Sequence, residues 1–230
     1  PPDLGQALRM LSRREGASLF MSLLAAFHVL LHHYTGRTDL VTGFPASNRG
    51  RAEIEPLIGF FVNTLVIRTQ LVGDPTFLDV IAQVRDNTLR VYEHQDVPFD
   101  KLVEMLRLPR DTRYHPIFQI MFVVNRPAPK LALPPGLEAT ALQLPSQTAA
   151  FDLSFEIEAA GSNLSCTLEY KVDLFDSSTI IDMLRDFQRL LEQIVTDPSQ
   201  PLSTLLKVLP ARFPPPTGAT PPNYTHQVAL

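Results

Sequence analysis

Leu4, Leu8 and Leu11 recur at the spacing of one helical face, which predicts a helix over residues 3–14, closed by Gly16. Ser18 is placed to cap a second helix over 18–34. That helix is apolar nearly all round, the pattern of a buried element, and Thr35-Gly36 stops it. A short buried strand is expected at 40–44, then a polar loop at 46–55 that contains Arg49 and Arg51. Residues 58–68, rich in Phe, Val, Ile and Thr, read as a longer β run. Asp74-Pro75-Thr76 opens a helix through about residue 92, with Phe77, Val80, Ile81, Val84 and Leu89 keeping the 3.6 period. Pro98 starts a short helix whose inner face is Phe99, Leu102, Val103 and Leu106.

Residues 116–125 are apolar on both faces, as a central strand is. A proline-rich excursion follows at 126–135, then strands at 137–144, 152–159 and 164–172. Ala160-Gly161-Ser162-Asn163 makes the hairpin turn between the last two. Asp176 or Ser177 caps a closing helix over 179–195, striped by Ile180, Met183, Leu184, Phe187, Leu190, Leu191 and Ile194. About six strands and five helices, partly interleaved, make a layered α/β domain: a mixed sheet with helices packed on it. The domain is expected over residues 1–209, with a Pro/Gly/Thr-rich linker or tail over 210–230.

Composition narrows the function classes. The 20 basic and 24 acidic residues form no basic stripe, which leaves nucleic-acid binding without support. The single cysteine, Cys166, excludes an internal disulfide and a cysteine metal site; in its alternating run it reads as a small strand residue. The longest apolar stretch, residues 19–31, is interrupted by Ser22 and His28 and is too short for a bilayer span. No signal peptide is visible, so a cytoplasmic, membrane-free setting is the simplest expectation. No Gly-x-Ser-x-Gly elbow, P-loop, Rossmann glycine pattern or metal-ligand cluster is present.

Three phrases carry a more specific message. They are Ile58-Gly59-Phe60-Phe61-Val62-Asn63-Thr64 with Arg68; His94-Gln95-Asp96-Val97-Pro98-Phe99-Asp100; and Arg110-Asp111-Thr112-Arg113-Tyr114-His115-Pro116-Ile117. In this order they resemble the IGxFVNT…R, HQDVPFE and RDxSRNPL motifs of nonribosomal peptide synthetase condensation domains. The departures fall at Asp100, Tyr114, His115 and Ile117. The turns at Tyr34-Thr35-Gly36-Arg37-Thr38-Asp39 and Gly43-Phe44-Pro45-Ala46 fit as well. The resemblance runs from about Leu4 to Leu209.

That family implies one lobe of a pseudo-dimer resembling chloramphenicol acetyltransferase, here the C-terminal lobe. The family's HHxxxDG histidine, proposed to position or deprotonate the acceptor amine, belongs to the other lobe; such a base must come within about 3 Å of its proton. His32-His33 imitates the motif, but Arg37 and Thr38 stand where Asp and Gly are required. We read this pair as helix-end residues, where cations suit the dipole. Asp152-Leu153-Ser154 has the Asp-x-Ser form of a phosphopantetheine attachment site but lacks the flanking Leu-Gly-Gly and sits in a strand pattern.

No residue of this chain is assigned as catalytic. Asn63 is the candidate for a polar group facing the substrate tunnel; equally, it hydrogen-bonds a neighbouring loop. Gly59, Phe61, Thr64, Arg68, His94, Gln95, Asp96, Pro98, Phe99, Arg110 and Asp111 read as structural, with Gly59 allowing close backbone approach or a bulge. Asp96 is expected to cap the helix that Pro98 begins. Arg110-Asp111 is expected to form a local ion pair or to anchor a loop near a carrier-protein entrance.

The resemblance implies that both substrates arrive as phosphopantetheine thioesters on carrier proteins, with no cofactor bound directly. It implies an N-terminal condensation lobe, a peptidyl carrier protein and an adenylation domain as partners. The excursion at 126–135 and the loop at 145–149 are candidate bridges to the other lobe. An isolated lobe exposes its partner face, so self-association or an extended binding surface is expected. The alternatives are a non-catalytic docking scaffold for carrier, adenylation or tailoring proteins, and a stand-alone acyltransferase of the same superfamily.

Overall fold

The computed structural model describes residues 2–50, 52–108, 114–125, 127, 134, 136–137, 139–140 and 148–210. In chain order the elements are α1 (Pro2–Arg14), α2 (Leu19–Thr35), β1 (Asp39–Ala46), β2 (Asn63–Gln70), α3 (Phe77–Glu93), α4 (Phe99–Leu106), β3 (Ile120–Asn125), β4 (Leu153–Ala160), β5 (Asn163–Tyr170), α5 (Ser177–Thr196) and α6 (Leu202–Leu205). A 3-10 turn at Leu206–Val208 follows α6.

The strands form one mixed sheet in the order β2-β1-β3-β4-β5. Its two outer pairs are antiparallel and the two pairs flanking β3 are parallel. This is the α/β architecture expected, with β3 central as its two apolar faces require. The described residues hold five strands; of the sixth expected, over 137–144, residues 138 and 141–144 lie outside them, and 137, 139 and 140 are not in a strand. The closing α6 and its 3-10 turn are too short to leave a periodic signal and were not anticipated.

Local chemistry fixes the helix ends. Ser18 caps α2: its hydroxyl accepts from Met21 N, and the Met21 sulfur accepts from Ser18 N. Thr76 and Asp79 form the same reciprocal box at the start of α3, and the hydrogen bonds from Thr76 hold the Asp79 carboxyl below its usual range. Gly36 ends α2 at φ 66°, in the left-handed conformation that glycine adopts without strain.

Burial follows the strand alternation. Leu40 and Phe44 of β1, Leu65 and Ile67 of β2, Phe122 of β3 and Phe155 and Ile157 of β4 point to one face. They form one core with α2, whose residues from Met21 to Leu31 are all buried, and with the inner stripes of α1, α3 and α5. Each fully buried Leu or Phe stabilises by about 2 kcal/mol. On α3 the buried stripe runs Phe77, Val80, Ile81, Val84 and Thr88, whereas Leu89 is half-exposed. The period passes through position 88, and the Thr88 hydroxyl is satisfied by Val84 O at 2.6 Å.

Edge strand β2 is covered at its far end by side chains of α3. Gln83 bonds both Gln70 N and Gln70 O, at 2.9 and 3.1 Å, and Asn87 donates to Arg68 O at 2.8 Å. Such cover keeps an edge from templating a second chain. No single helix among the described residues is long and apolar enough to cross a membrane.

Candidate functional site

The β1–β2 ladder ends at the pair Ala46↔Asn63, and the first two motifs meet there. The expected β run over 58–68 begins five residues late, because residues 58–62 are loop and β2 starts at Asn63. Asn63 directs its carboxamide onto the second motif. Nδ2 donates to Gln95 O and Val97 O, both at 2.8 Å, while Oδ1 accepts from Phe99 N at 3.2 Å and from Thr64 N at 3.0 Å. An amide with two donors and two acceptor lone pairs is fully used by this set.

Phe99 is the first residue of α4, so Asn63 caps that helix from another element. Asp96 does not cap it, contrary to expectation: Pro98 occupies the cap position without a side-chain hydrogen bond, and Asp96 is exposed. His94 ends α3, its N–H directed at Val91 O and Tyr92 O, and its ring is exposed.

Arg49 builds the loop that precedes Asn63. Its guanidinium donates to Ile54 O, Glu55 O and Leu57 O at 2.7, 3.0 and 2.8 Å, and to Gly59 O at 3.4 Å. The same group lies 4.4 Å from the centre of the Phe61 ring. One side chain thus ties together four carbonyls of the loop, those of residues 54, 55, 57 and 59. Gly59 permits the turn: a Cβ there would lie 2.9 Å from the Phe61 ring. Farther along β2, Arg68 forms a two-point ion pair with Asp39 of β1, at 2.8 and 2.6 Å, which raises the guanidinium pKa and locks the pairing of the strands.

The second motif meets the end of the third through rings. Phe99 stacks on His115 with centroids 5.3 Å apart, and His115 also contacts Phe118 and Phe151. Burial in this aromatic nest is the largest influence on the His115 pKa, which is lowered. Phe118 packs over Gly43 of β1, where a Cβ would come within 2.3 Å of the ring. Arg110 and Asp111 lie outside the described residues.

Three further histidines are held by structure. His32 Nδ1 is 2.7 Å from Arg37 O, and His33 Nε2 is 3.0 Å from Pro210 O. His28, which the sequence showed only as an interruption in an apolar helix, is fully buried. It bridges Thr69 Oγ1 at 2.8 Å and Thr42 Oγ1 at 2.9 Å, and burial lowers its pKa to about 3, so it is neutral. Cys166 is a half-buried strand residue whose thiol is pushed up to about 11 by burial. Ser154, of the Asp-x-Ser form, is buried in β4. Among the described residues, no group of three His, Cys, Asp or Glu side chains is placed to hold a metal ion. An open cleft of about 920 Å³ between α1, the start of α2 and the β4–β5 turn, lined by Arg9, Ser18, Phe20, Asn125 and Ser162 among others, includes none of the motif residues.

The sequence model of the condensation domain matches residues 1–212. The chain belongs to the condensation domain family. It is 44% identical over 206 residues to one of the linear gramicidin synthases of Brevibacillus parabrevis, covering 88% of this chain and 4% of that one. It is 36% identical over 196 residues to surfactin synthase subunit 1 of Bacillus subtilis, covering 85% of this chain and 6% of that one. The chain thus spans only a small part of the curated relatives it matches.

Among solved structures it resembles the X-domain from teicoplanin biosynthesis in complex with OxyB, at 31% identity and a TM-score of 0.79, covering 88% of this chain and 45% of that one. It also resembles a four-domain nonribosomal peptide synthetase bound to AMP and glycine, at 25% identity and a TM-score of 0.80, covering 89% of this chain and 17% of that one. Among the described residues, the first two motifs that marked the family in the sequence meet at Asn63, and the end of the third meets the second at Phe99 and His115.

Proposed function

We propose that this chain is the C-terminal lobe of a condensation domain that, together with an N-terminal lobe, forms amide bonds between thioesters held on carrier proteins. The acceptor amine attacks the donor thioester carbonyl. The N–C bond forms, the C–S bond breaks, and the proton lost by the amine ends on the phosphopantetheine thiol. The observation that carries this reading is the joining of the first two condensation motifs through Asn63 and of the second to the third through Phe99 and His115, in a chain that matches the family over residues 1–212. This lobe supplies a rigid wall of the substrate tunnel. The base is assigned to the HHxxxDG motif of the other lobe; in this chain His28, His32 and His33 are engaged in hydrogen bonds within the fold. The peptidyl carrier protein and adenylation domain are its partners, and phosphopantetheine reaches it only on carriers.

A second reading is a docking scaffold without catalysis. It is favoured by the 31% identity to an X-domain solved in complex with a second protein, OxyB. One experiment separates the two. The chain is mixed with donor and acceptor carriers loaded with thioesters, with and without a separately expressed N-terminal lobe, and amide on the carrier is followed by mass spectrometry. Product that requires the added lobe supports the half-enzyme. Carrier binding with no product in either mixture supports the scaffold.

A further inference from the structure

Two of the most exposed apolar side chains sit side by side in the loop that Arg49 builds: Ile58 is fully exposed and Phe60 is 93% exposed. Leu57 and Val62 flank them, each about half-exposed. A slack loop would turn such side chains onto the surface. This one is held, because four carbonyls, those of residues 54, 55, 57 and 59, accept from one guanidinium. The same guanidinium lies against the Phe61 ring, so Phe61 is drawn inward while its neighbours project. Contiguous apolar groups presented on a rigid turn mark an interaction site, since preorganisation removes the ordering cost that binding otherwise meets.

The rim gives the partner's chemistry. Asn63 ties residues 95–99 to the same place, so the exposed charged residues of both loops surround the knuckle. Of the charged residues described in the two loops, Glu53, Glu55 and Asp96 are exposed, whereas Arg49 is turned onto carbonyls; in the first turn of α4, Asp100 and Lys101 are both exposed, and Lys101 pairs with Glu104. A face-to-face contact with a second copy would bring these carboxylates together, which disfavours it. The matching X-domain structure pairs 88% of this chain with only 45% of its own, so more than half of that chain lies beyond the matched fold.

We infer that the turn at residues 57–62 is a preformed docking knuckle for a partner face that is apolar at its centre and basic at its rim, carried by the part of the condensation domain that this chain does not match. This assignment rests on the reading of the chain as one lobe.

The test uses the full-length synthetase with p-benzoylphenylalanine in place of Phe60, irradiated and mapped by peptide mass spectrometry. The same probe at Val72, a 75% exposed residue beyond the opposite end of β2, is the control. Crosslinks from position 60 to peptides of the preceding lobe are expected. Crosslinks mainly to a carrier protein, an adenylation domain or a second copy would overturn the assignment, as would a yield no higher than at position 72. In parallel, Phe60→Asp is expected to lower amide formation at least tenfold with an unchanged melting temperature, and Val72→Asp to leave it unchanged. Unaltered amide formation by Phe60→Asp would also overturn the assignment. Amide formation without lobe crosslinks would sink the knuckle and keep the half-enzyme. Lobe crosslinks in a synthetase that forms no amide would keep the knuckle and sink the half-enzyme.

Discussion

Replacing Asn63 probes the junction of the motifs directly. Asn63→Ala removes two donor bonds to Gln95 O and Val97 O and the acceptor for Phe99 N at the start of α4. Three tertiary hydrogen bonds at about 1 kcal/mol each, in a half-buried setting, put the loss at about 2–3 kcal/mol. The absent cap accounts for about 1 kcal/mol of it. In a chain of 230 residues this corresponds to a fall in Tm of about 4–12 °C. Asn63→Asp is the sharper variant. It keeps the acceptor for Phe99 N but turns a carboxylate oxygen toward two carbonyls that an amide donor met at 2.8 Å. It should therefore be at least as destabilising as Asn63→Ala at neutral pH and recover on acidification, when the carboxyl can donate. Thermal melts from pH 4 to 8, with hydrogen exchange at residues 95–101, measure both effects. An Asn63→Asp protein that melts with the wild type at neutral pH, with unchanged exchange there, would refute the reasoning.

Three further outcomes are expected. His28 carries a folded pKa of about 3 against 6.5 unfolded, so its contribution is fully present above pH 6.5 and is lost as pH falls towards 3; at pH 5 the loss is about 2 kcal/mol. Urea unfolding of His28→Gln at pH 7.5 and 5.0 should show a difference smaller than that of the wild type by about this amount, and parallel behaviour would contradict it. Gly43→Ala drives a methyl into the Phe118 ring, which Phe99, His115 and Phe151 hem in, and should cost about 1–3 kcal/mol in the same unfolding assay; an unaffected midpoint would show that the ring yields. Arg49→Lys keeps the charge but cannot reach four carbonyls and a ring at once, so it should raise hydrogen exchange across residues 54–61 by about tenfold; wild-type exchange would exclude Arg49 as the organiser of the loop.

Periodicity and caps reported most of the architecture, because α2, α3, α5 and the strands β3 to β5 bury faces that their own sequences mark. Errors arose where a distant side chain decides local structure. Residues 58–62 look like strand, but in the fold they are loop, and Arg49, at least nine positions earlier, bonds Gly59 O and lies against the Phe61 ring. The cap of α4 belongs to Asn63, 36 positions before Phe99, and no local pattern could separate it from Asp96. Leu89 looked like core because a 3.6 period tolerates either neighbour, and burial went to Thr88, whose hydroxyl has a backbone partner. His28 did carry a signal. A polar residue within a helix apolar all round must find buried partners, and Thr42 and Thr69 in the adjoining strands were candidates for it.

The central claim is that this lobe furnishes framework while the other furnishes the base. Single-turnover amide formation by the chain combined with an N-terminal lobe tests it most directly, comparing His32→Ala, His33→Ala and His94→Ala in this chain with alanine at the second histidine of HHxxxDG in the other. The account predicts rates within about threefold of wild type for the first three variants and loss of more than a hundredfold for the last, the order of a missing general base. A loss of that size from any of the three variants in this chain, with the other lobe intact, would contradict it.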